Sequence, residues 1–171
     1  MKYEYYDQYI NKNTHGRYDV TPLFGNAKAF AFLIDDIIRP FKRSSYNKVA
    51  GLDALGFIIG GAVAHKTKKG FVAVRKGGKL PGIAGTLIKT SFIDYTRKRK
   101  YFEINTDAIK HGDRIMIVDE WIETGAQVAA AIKLIEKQGG KVIGISCLCA
   151  ERNESTQPLF DRYNCRAIRV A

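Results

Sequence analysis

The sequence predicts an α/β domain with a mainly parallel central sheet flanked by helices. Three observations carry that expectation. Apolar runs of strand length alternate with longer apolar patterns of helical period, the order of right-handed β-α-β units. The chain has 171 residues, enough for one domain with a sizeable core and not comfortably two, so 1–171 reads as a single domain. Asp53, Arg75 and Asp119 each fall at or just after the end of a predicted strand, where open α/β sheets bind ligands.

After a polar, Tyr-rich start, Phe30, Leu33, Ile34, Ile37, Ile38 and Phe41 recur at helical spacing. Residues 27–41 therefore read as an amphipathic helix with Asn26 as its N-cap. "KVAGL" (Lys48–Leu52) reads as a strand, and "GFIIGGAVAHK" (56–66) as a helix apolar on most sides and hence buried. "GFVAVRK" (Gly70–Lys76) is the next strand. Residues 77–100 form a Gly-rich, basic loop, followed by the short strand "YFEI" (101–104) and the apolar strand "RIMIV" (114–118). Val128, Ala131, Ile132 and Ile135 mark a helix face that Gly139 and Gly140 end. "KVIGISCLCA" (Lys141–Ala150) and "RAIRV" (166–170) are the last strands.

Composition narrows the partners. Twenty-eight Lys and Arg stand against 17 Asp and Glu, a net charge of +11 that favours an anionic ligand. No apolar run is long enough to span a membrane, and the start lacks the apolar stretch of a signal peptide. Cys147 and Cys149 alternate onto one strand face as small buried hydrophobes, which suits a reducing cytoplasm. No His lies at metal-ligand spacing from them, and His15, His65 and His111 are scattered. The Tyr-rich start (Tyr3, Tyr5, Tyr6, Tyr9) offers exposed aromatics to a homodimer.

The stretch "RIMIVDEWIETGAQVAAAI" carries the chemistry. Asp119 and Glu120 are adjacent carboxylates at a strand end, and like charges so close call for a partner. Glu123, Thr124, Gly125, Ala126 and Gln127 then occupy the turn into a helix, whose first N–H groups lack partners and favour an anion. A capping turn with Thr124 as N-cap fits "TGAQ" as well. An anion seat beside two acids points to a sugar phosphate, the acids accepting from vicinal hydroxyls or orienting hydrated Mg²⁺. Neither a Walker loop nor a GxGxxG fingerprint is present.

"IMIVDEWIETGAQ" resembles the phosphoribosyl pyrophosphate (PRPP) motif of type I phosphoribosyltransferases. "YDVTPLF" (18–24), "VAGLDALGFIIG" (49–60) and "VRKGGKLPG" (74–82) narrow the resemblance to adenine phosphoribosyltransferases. It implies the type I fold with a small N-terminal hood (1–25) and a mobile lid loop (77–100). It also implies a Mg²⁺-dependent cytoplasmic enzyme, a homodimer, that joins a purine, adenine first, to PRPP in purine salvage. The resemblance gives each residue a part. Residues 123–127 cradle the 5-phosphate; Asp119 and Glu120 hold the ribose hydroxyls. The turn Asp53-Ala54-Leu55 binds pyrophosphate through backbone amides, its Asp53–Ala54 peptide cis. Arg75, Lys76 and Lys79 neutralise the pyrophosphate, in one arrangement across a dimer interface. Asp94 stands where the family has Glu, and the backbone near Tyr18 faces the base.

The chain departs from the family pattern at Leu55 (usually Arg), Ala126 and Gln127 (Gly and Thr), Glu123 (a small residue) and Asp94. Glu123 has two readings: a general base toward a purine N7 proton, or an outward carboxylate complementing the helix dipole. Another purine, or a non-catalytic PRPP-sensing or nucleic-acid-binding protein, are the alternatives. Nucleic acid is the weaker partner, since no DNA-binding element is visible.

Overall fold

A computed structural model describes residues 1–82, 85–93 and 98–171. The elements run α1 (Tyr3–Asp7), α2 (Thr21–Gly25), α3 (Ala27–Ile38), β1 (Lys48–Leu52), α4 (Leu55–Thr67), β2 (Gly70–Lys76), β3 (Leu87–Ile93) and β4 (Arg99–Asn105). They continue with β5 (Arg114–Ile122), α5 (Ala126–Lys137), β6 (Lys141–Ala150), α6 (Gln157–Tyr163) and β7 (Cys165–Val170). Seven strands form one sheet in the order β3-β4-β2-β1-β5-β6-β7. β2, β1, β5, β6 and β7 run parallel to one another, while β4 pairs antiparallel with β2 and with β3. After β1 the chain proceeds to β2 on one side and later returns to β5 on the other. That reversal opens a crevice beyond the carboxyl ends of β1 and β5.

The period of two explains the unbroken apolar run of β5. Ile115 and Ile117 face one core with Val128, Ile132 and Ile135 of α5; Met116 and Val118 face a second with Leu33 and Ile37 of α3 and Ile59 and Val63 of α4. Asn26 caps α3 as expected, its side-chain oxygen accepting from the Ala29 N–H at 2.9 Å.

α4 is seated unusually close to the sheet, and glycine permits it. A Cβ on Gly51 would stand 2.4 Å from the Gly56 carbonyl oxygen. One on Gly56 would stand 2.9 Å from both Asp119 Oδ1 and the Val118 carbonyl oxygen.

Several expectations are corrected. β5 continues to Ile122, so Asp119 and Glu120 lie within the strand, where pairing with β6 carries the ladder past them. Much of 77–100 is strand: β3 and β4 form an antiparallel hairpin, their alternating apolar positions masked in sequence by surrounding Lys, Arg and Thr. The 27–41 helix changes to a 3-10 turn at Arg39–Phe41, where Pro40 interrupts the α pattern. α4 is open on one side, with Ile58 45% exposed. α6 was not foreseen, being short and weakly patterned. Cys147 and Cys149 join different cores rather than one; Cys149, near the carboxyl end of β6, stands beside Tyr3 of α1. The N-terminal tyrosines pack inward: Tyr6 is buried and its hydroxyl donates to Asp36 at 2.6 Å, while Tyr3, Tyr5 and Tyr9 lean on the second core. The Met1 ammonium and Arg39 also pair with Asp36, pinning the N-terminal segment to α3.

Candidate active site

Asp119 and Glu120 are buried at the crevice, 7% and 5% exposed. Asp119 Oδ1 accepts the Glu120 N–H at 3.0 Å. Burial pushes the Asp119 carboxyl well above the usual range, repulsion from Glu120 adds to the rise, and Arg17 works against it. Arg17 Nη2 lies 2.6 Å from Glu120 Oε1. It reaches the acid strand from the N-terminal segment, a contact between residues 103 apart in sequence.

The loop 123–127 follows directly. Gly125 adopts φ 72°, the left-handed conformation glycine accommodates, and stands at the N-cap of α5; Thr124, one candidate for that cap, does not occupy it. The loop is tied from behind: Asn153 Nδ2 donates to the Glu123 carbonyl at 3.1 Å and Ser155 Oγ to the Thr124 carbonyl at 3.0 Å. In a trans peptide the N–H opposes the C=O, so the Thr124 and Gly125 N–H groups turn away from that tie. A small cavity lies between this loop, Asp119 and Arg17.

A second cavity of about 560 Å³ adjoins it, walled by Tyr18, Val20, Glu120 and Glu151. Arg17, Trp121 and Glu123 line both. The Tyr18 and Trp121 rings meet edge to face at 5.6 Å, an apolar wall suited to a flat aromatic ligand. Glu123 is exposed at the junction.

The turn after β1 forms a neighbouring group. Asp53–Ala54 is a cis peptide, as expected. Asp53, 8% exposed, sits 3.4 Å from Arg75 Nη1 and accepts the Lys76 N–H at 3.3 Å. Arg75 also lies over the Phe57 ring, 5.6 Å from its centroid. Gly56, at the first turn of α4, leaves no room for a Cβ beside Asp119 and so brings this turn close to the acid pair. Ala54 is exposed and Leu55 half-buried. Lys79 is exposed, and its N–H and that of Leu80 donate to Glu103 at 2.9 and 2.8 Å. Asp53, Ala54, Leu55, Arg75, Lys76 and Lys79 line neither cavity. Asp94 lies outside the described residues.

An acid pair, an amide-lined turn at a helix start and an aromatic-walled cavity thus meet at the sheet's reversal point. Residues 24–170 match the phosphoribosyl transferase domain family. The adenine phosphoribosyltransferase of Jannaschia sp. (strain CCS1) is 46% identical over 126 residues, 74% of this chain and 68% of that one.

This chain belongs to the adenine phosphoribosyltransferase family.

Solved family structures agree in shape. The Rhodothermus marinus adenine phosphoribosyltransferase superposes with TM-score 0.87 at 31% identity, over 99% of this chain and 98% of that one. The Giardia lamblia family member, complexed with 9-deazaadenine, gives TM-score 0.87 at 25% identity, over 100% and 98%.

Sequence reasoning missed several residues that line or support this candidate site of an adenine phosphoribosyltransferase-family chain. Arg17 gave no signal, as one basic residue in a polar stretch. Trp121 did give one: it is the single Trp and shares the alternating face of Asp119. Glu103 was read only as part of a strand, yet it is fully buried and holds the loop at Lys79 and Leu80. Asn153, Ser155 and Glu151 follow β6 and reach the site only through the sheet order.

Proposed function

We propose that the chain transfers the 5-phosphoribosyl group of PRPP to adenine, releasing AMP and pyrophosphate, in cytoplasmic purine salvage. The carrying observation is the pair of contiguous cavities that share Arg17, Trp121 and Glu123 above the buried acid pair. The smaller takes the 5-phosphate on the loop 123–127. The larger takes the base against Tyr18 and Trp121, and a cavity of that size is ample for a purine. The ribose lies between them, its hydroxyls on Asp119 and Glu120. The C1–O bond to pyrophosphate breaks with its electron pair leaving on pyrophosphate. The C1–N9 bond forms, and the N9 proton of the purine is released to solvent. Arg75, Lys76, Lys79 and the amides after the cis peptide stabilise the charge gathering on pyrophosphate.

Mg²⁺ fits as a passenger of PRPP. Among the described residues no group of three or more His, Cys, Asp or Glu forms a cage. Two buried carboxylates facing a phosphate seat are the donor set Mg²⁺ takes when phosphates and water complete its shell. Asp119 and Glu120 would orient the hydrated ion, which supplies charge neutralisation to the leaving pyrophosphate.

The stretch 77–100 supplies the lid through its segments outside the strands, excluding water from the activated sugar. The active form is a homodimer through the open side of α4 and β2, where Ile58 and Phe71 are 45% and 39% exposed. Ile58→Glu is expected to lower the mass measured by light scattering to that of one chain. The activity test mixes the protein with Mg²⁺-PRPP and adenine, hypoxanthine or guanine in turn and follows pyrophosphate release. AMP formed from adenine is the expected result; no release with any base refutes the reading.

A further inference from the structure

Arg17 sits where the proposed substrate must go. Its Nη2 is 2.6 Å from Glu120 Oε1, with the Glu120 side chain 7% and the Arg17 side chain 44% exposed. A carboxylate oxygen closed by a guanidinium has fewer lone pairs to offer ribose hydroxyls. Breaking such a pair leaves a buried charge uncompensated, so Arg17 departs only if the substrate replaces it on Glu120. Arg17 in turn needs a new anion, and it already borders one's seat: it lines the small cavity formed with Asp119 and the loop 123–127. No residue from 123 to 127 is a cation, and Glu123 adds a negative charge there. A phosphate on this loop lacks the positive charge that Arg17 carries. Arg17 also directly precedes Tyr18, which walls the larger cavity, and follows Gly16, whose φ of 103° suits glycine alone.

We propose that Arg17 is a latch between the acid pair and the 5-phosphate. Without substrate it closes Glu120. When a 5-phosphorylated pentose arrives, it yields Glu120 to the ribose hydroxyls, takes the phosphate and draws Tyr18 over the base. Phosphate and base binding are thereby linked through one hood residue. This rests on the cavities being the PRPP site.

The test is calorimetry of the full chain with ribose 5-phosphate and Mg²⁺, with PRPP and Mg²⁺, with inorganic pyrophosphate, and with adenine in the presence and absence of ribose 5-phosphate, for the parent, Arg17→Ala, Arg17→Gln and Arg17→Lys. Circular dichroism monitors folding. Arg17→Ala is expected to weaken ribose 5-phosphate binding about ten- to a hundredfold, the worth of a charge-assisted hydrogen bond. Pyrophosphate affinity should stay within about twofold of the parent, because its expected ligands are elsewhere. Arg17→Lys recovers part of the loss and Arg17→Gln little. In the parent, ribose 5-phosphate tightens adenine binding, and Arg17→Ala abolishes that gain, which a merely structural ion pair would not do. Equal or tighter ribose 5-phosphate binding by Arg17→Ala would mean that Arg17 only masks Glu120, and overturns the latch. If Arg17→Ala does not fold, equal affinity in the parent, Lys and Gln forms overturns it as well. A parent that binds neither PRPP nor ribose 5-phosphate overturns the proposed function and the latch together. A parent that binds both, with no difference along the Arg17 series, overturns the latch alone.

Discussion

Gly56→Ala places one methyl group where the site has no room for it. The new Cβ would lie 2.9 Å from Asp119 Oδ1 and 2.9 Å from the Val118 carbonyl oxygen, where ordinary contact is 3.4–4 Å. The deficit is at least about half an ångström, on the steep side of the contact potential. Asp119 can rotate, but the Val118 oxygen belongs to the backbone of β5 and cannot turn aside. α4 must therefore lift from the sheet. Overpacking of this kind costs about 1–3 kcal/mol, and the helix propensity of Ala returns at most about 1 kcal/mol. A net loss of about 1–2 kcal/mol is expected, read as a lower urea midpoint at unchanged m-value. The control is Gly25→Ala, at the exposed end of α2 with nothing within 4 Å of its new Cβ. There the same methyl should stabilise by about 0.4–1 kcal/mol through the unfolded chain. Displacing Asp119 by a fraction of an ångström should also lower kcat/KM for PRPP by roughly tenfold, since misplacement of 1 Å can cost about a hundredfold. Gly56→Ala with parental stability and parental kcat/KM would refute the account of how α4 sets the acid pair.

Asp119→Asn should keep the fold and gain stability at neutral pH while losing PRPP affinity. The folded Asp119 carboxyl is raised by burial and by Glu120, so the parent loses stability as pH rises from about 3.9 through the folded value. The Asn form lacks that loss, and the two unfolding curves should converge below about pH 4; a parent equally stable at both pH values contradicts this. Glu103→Gln should act in the opposite direction. Burial raises the Glu103 carboxyl, but the N–H groups of Leu80, Gly78 and Lys79 outweigh it and hold it low. Its contribution is present above about pH 4.3 and disappears as pH falls through the folded value. The Gln form should flatten that acid limb and weaken pyrophosphate binding measured by calorimetry. Glu123→Ala should leave turnover close to parental and bind PRPP as tightly or more tightly, because Glu123 is exposed and repels phosphate. A fall in kcat of about 10²-fold or more, with PRPP binding preserved, would make it the general base instead.

The parts of the fold with strong period were legible. Lys48–Leu52, Gly70–Lys76 and Lys141–Ala150 are strands with the expected bounds: the first and last are apolar runs that the sheet buries, and the second buries Val72 and Val74. Residues 101–104 were legible as part of β4, but β3 and its pairing with β4 were not, because the solvent-side Lys and Thr positions of 87–93 imitate a loop. The acid pair and the loop 123–127 were legible because one contiguous stretch carries both. Their exposure was not: the extension of β5 to Ile122 depends on a neighbour, β6, that becomes visible only in the sheet. Arg17, Glu103 and Glu151 were hidden for a related reason. A single charged residue acquires meaning from what the topology sets opposite it, and Glu103 meets Lys79 only through the pairing of β2 with β4.

The contact between Arg17 and Glu120 joins segments made far apart in time. Arg17 and Glu120 are 103 residues apart. At roughly 5–20 residues per second, the ribosome makes Arg17 about 5–20 s before its carboxylate partner exists. Tyr6, Val20 and Leu23 wait with it, since the second core they enter also needs Met116 and Val118 of β5. A segment made well before β5 is therefore among the last to find its place, and until then its apolar side chains are open to chaperones and to neighbouring nascent chains.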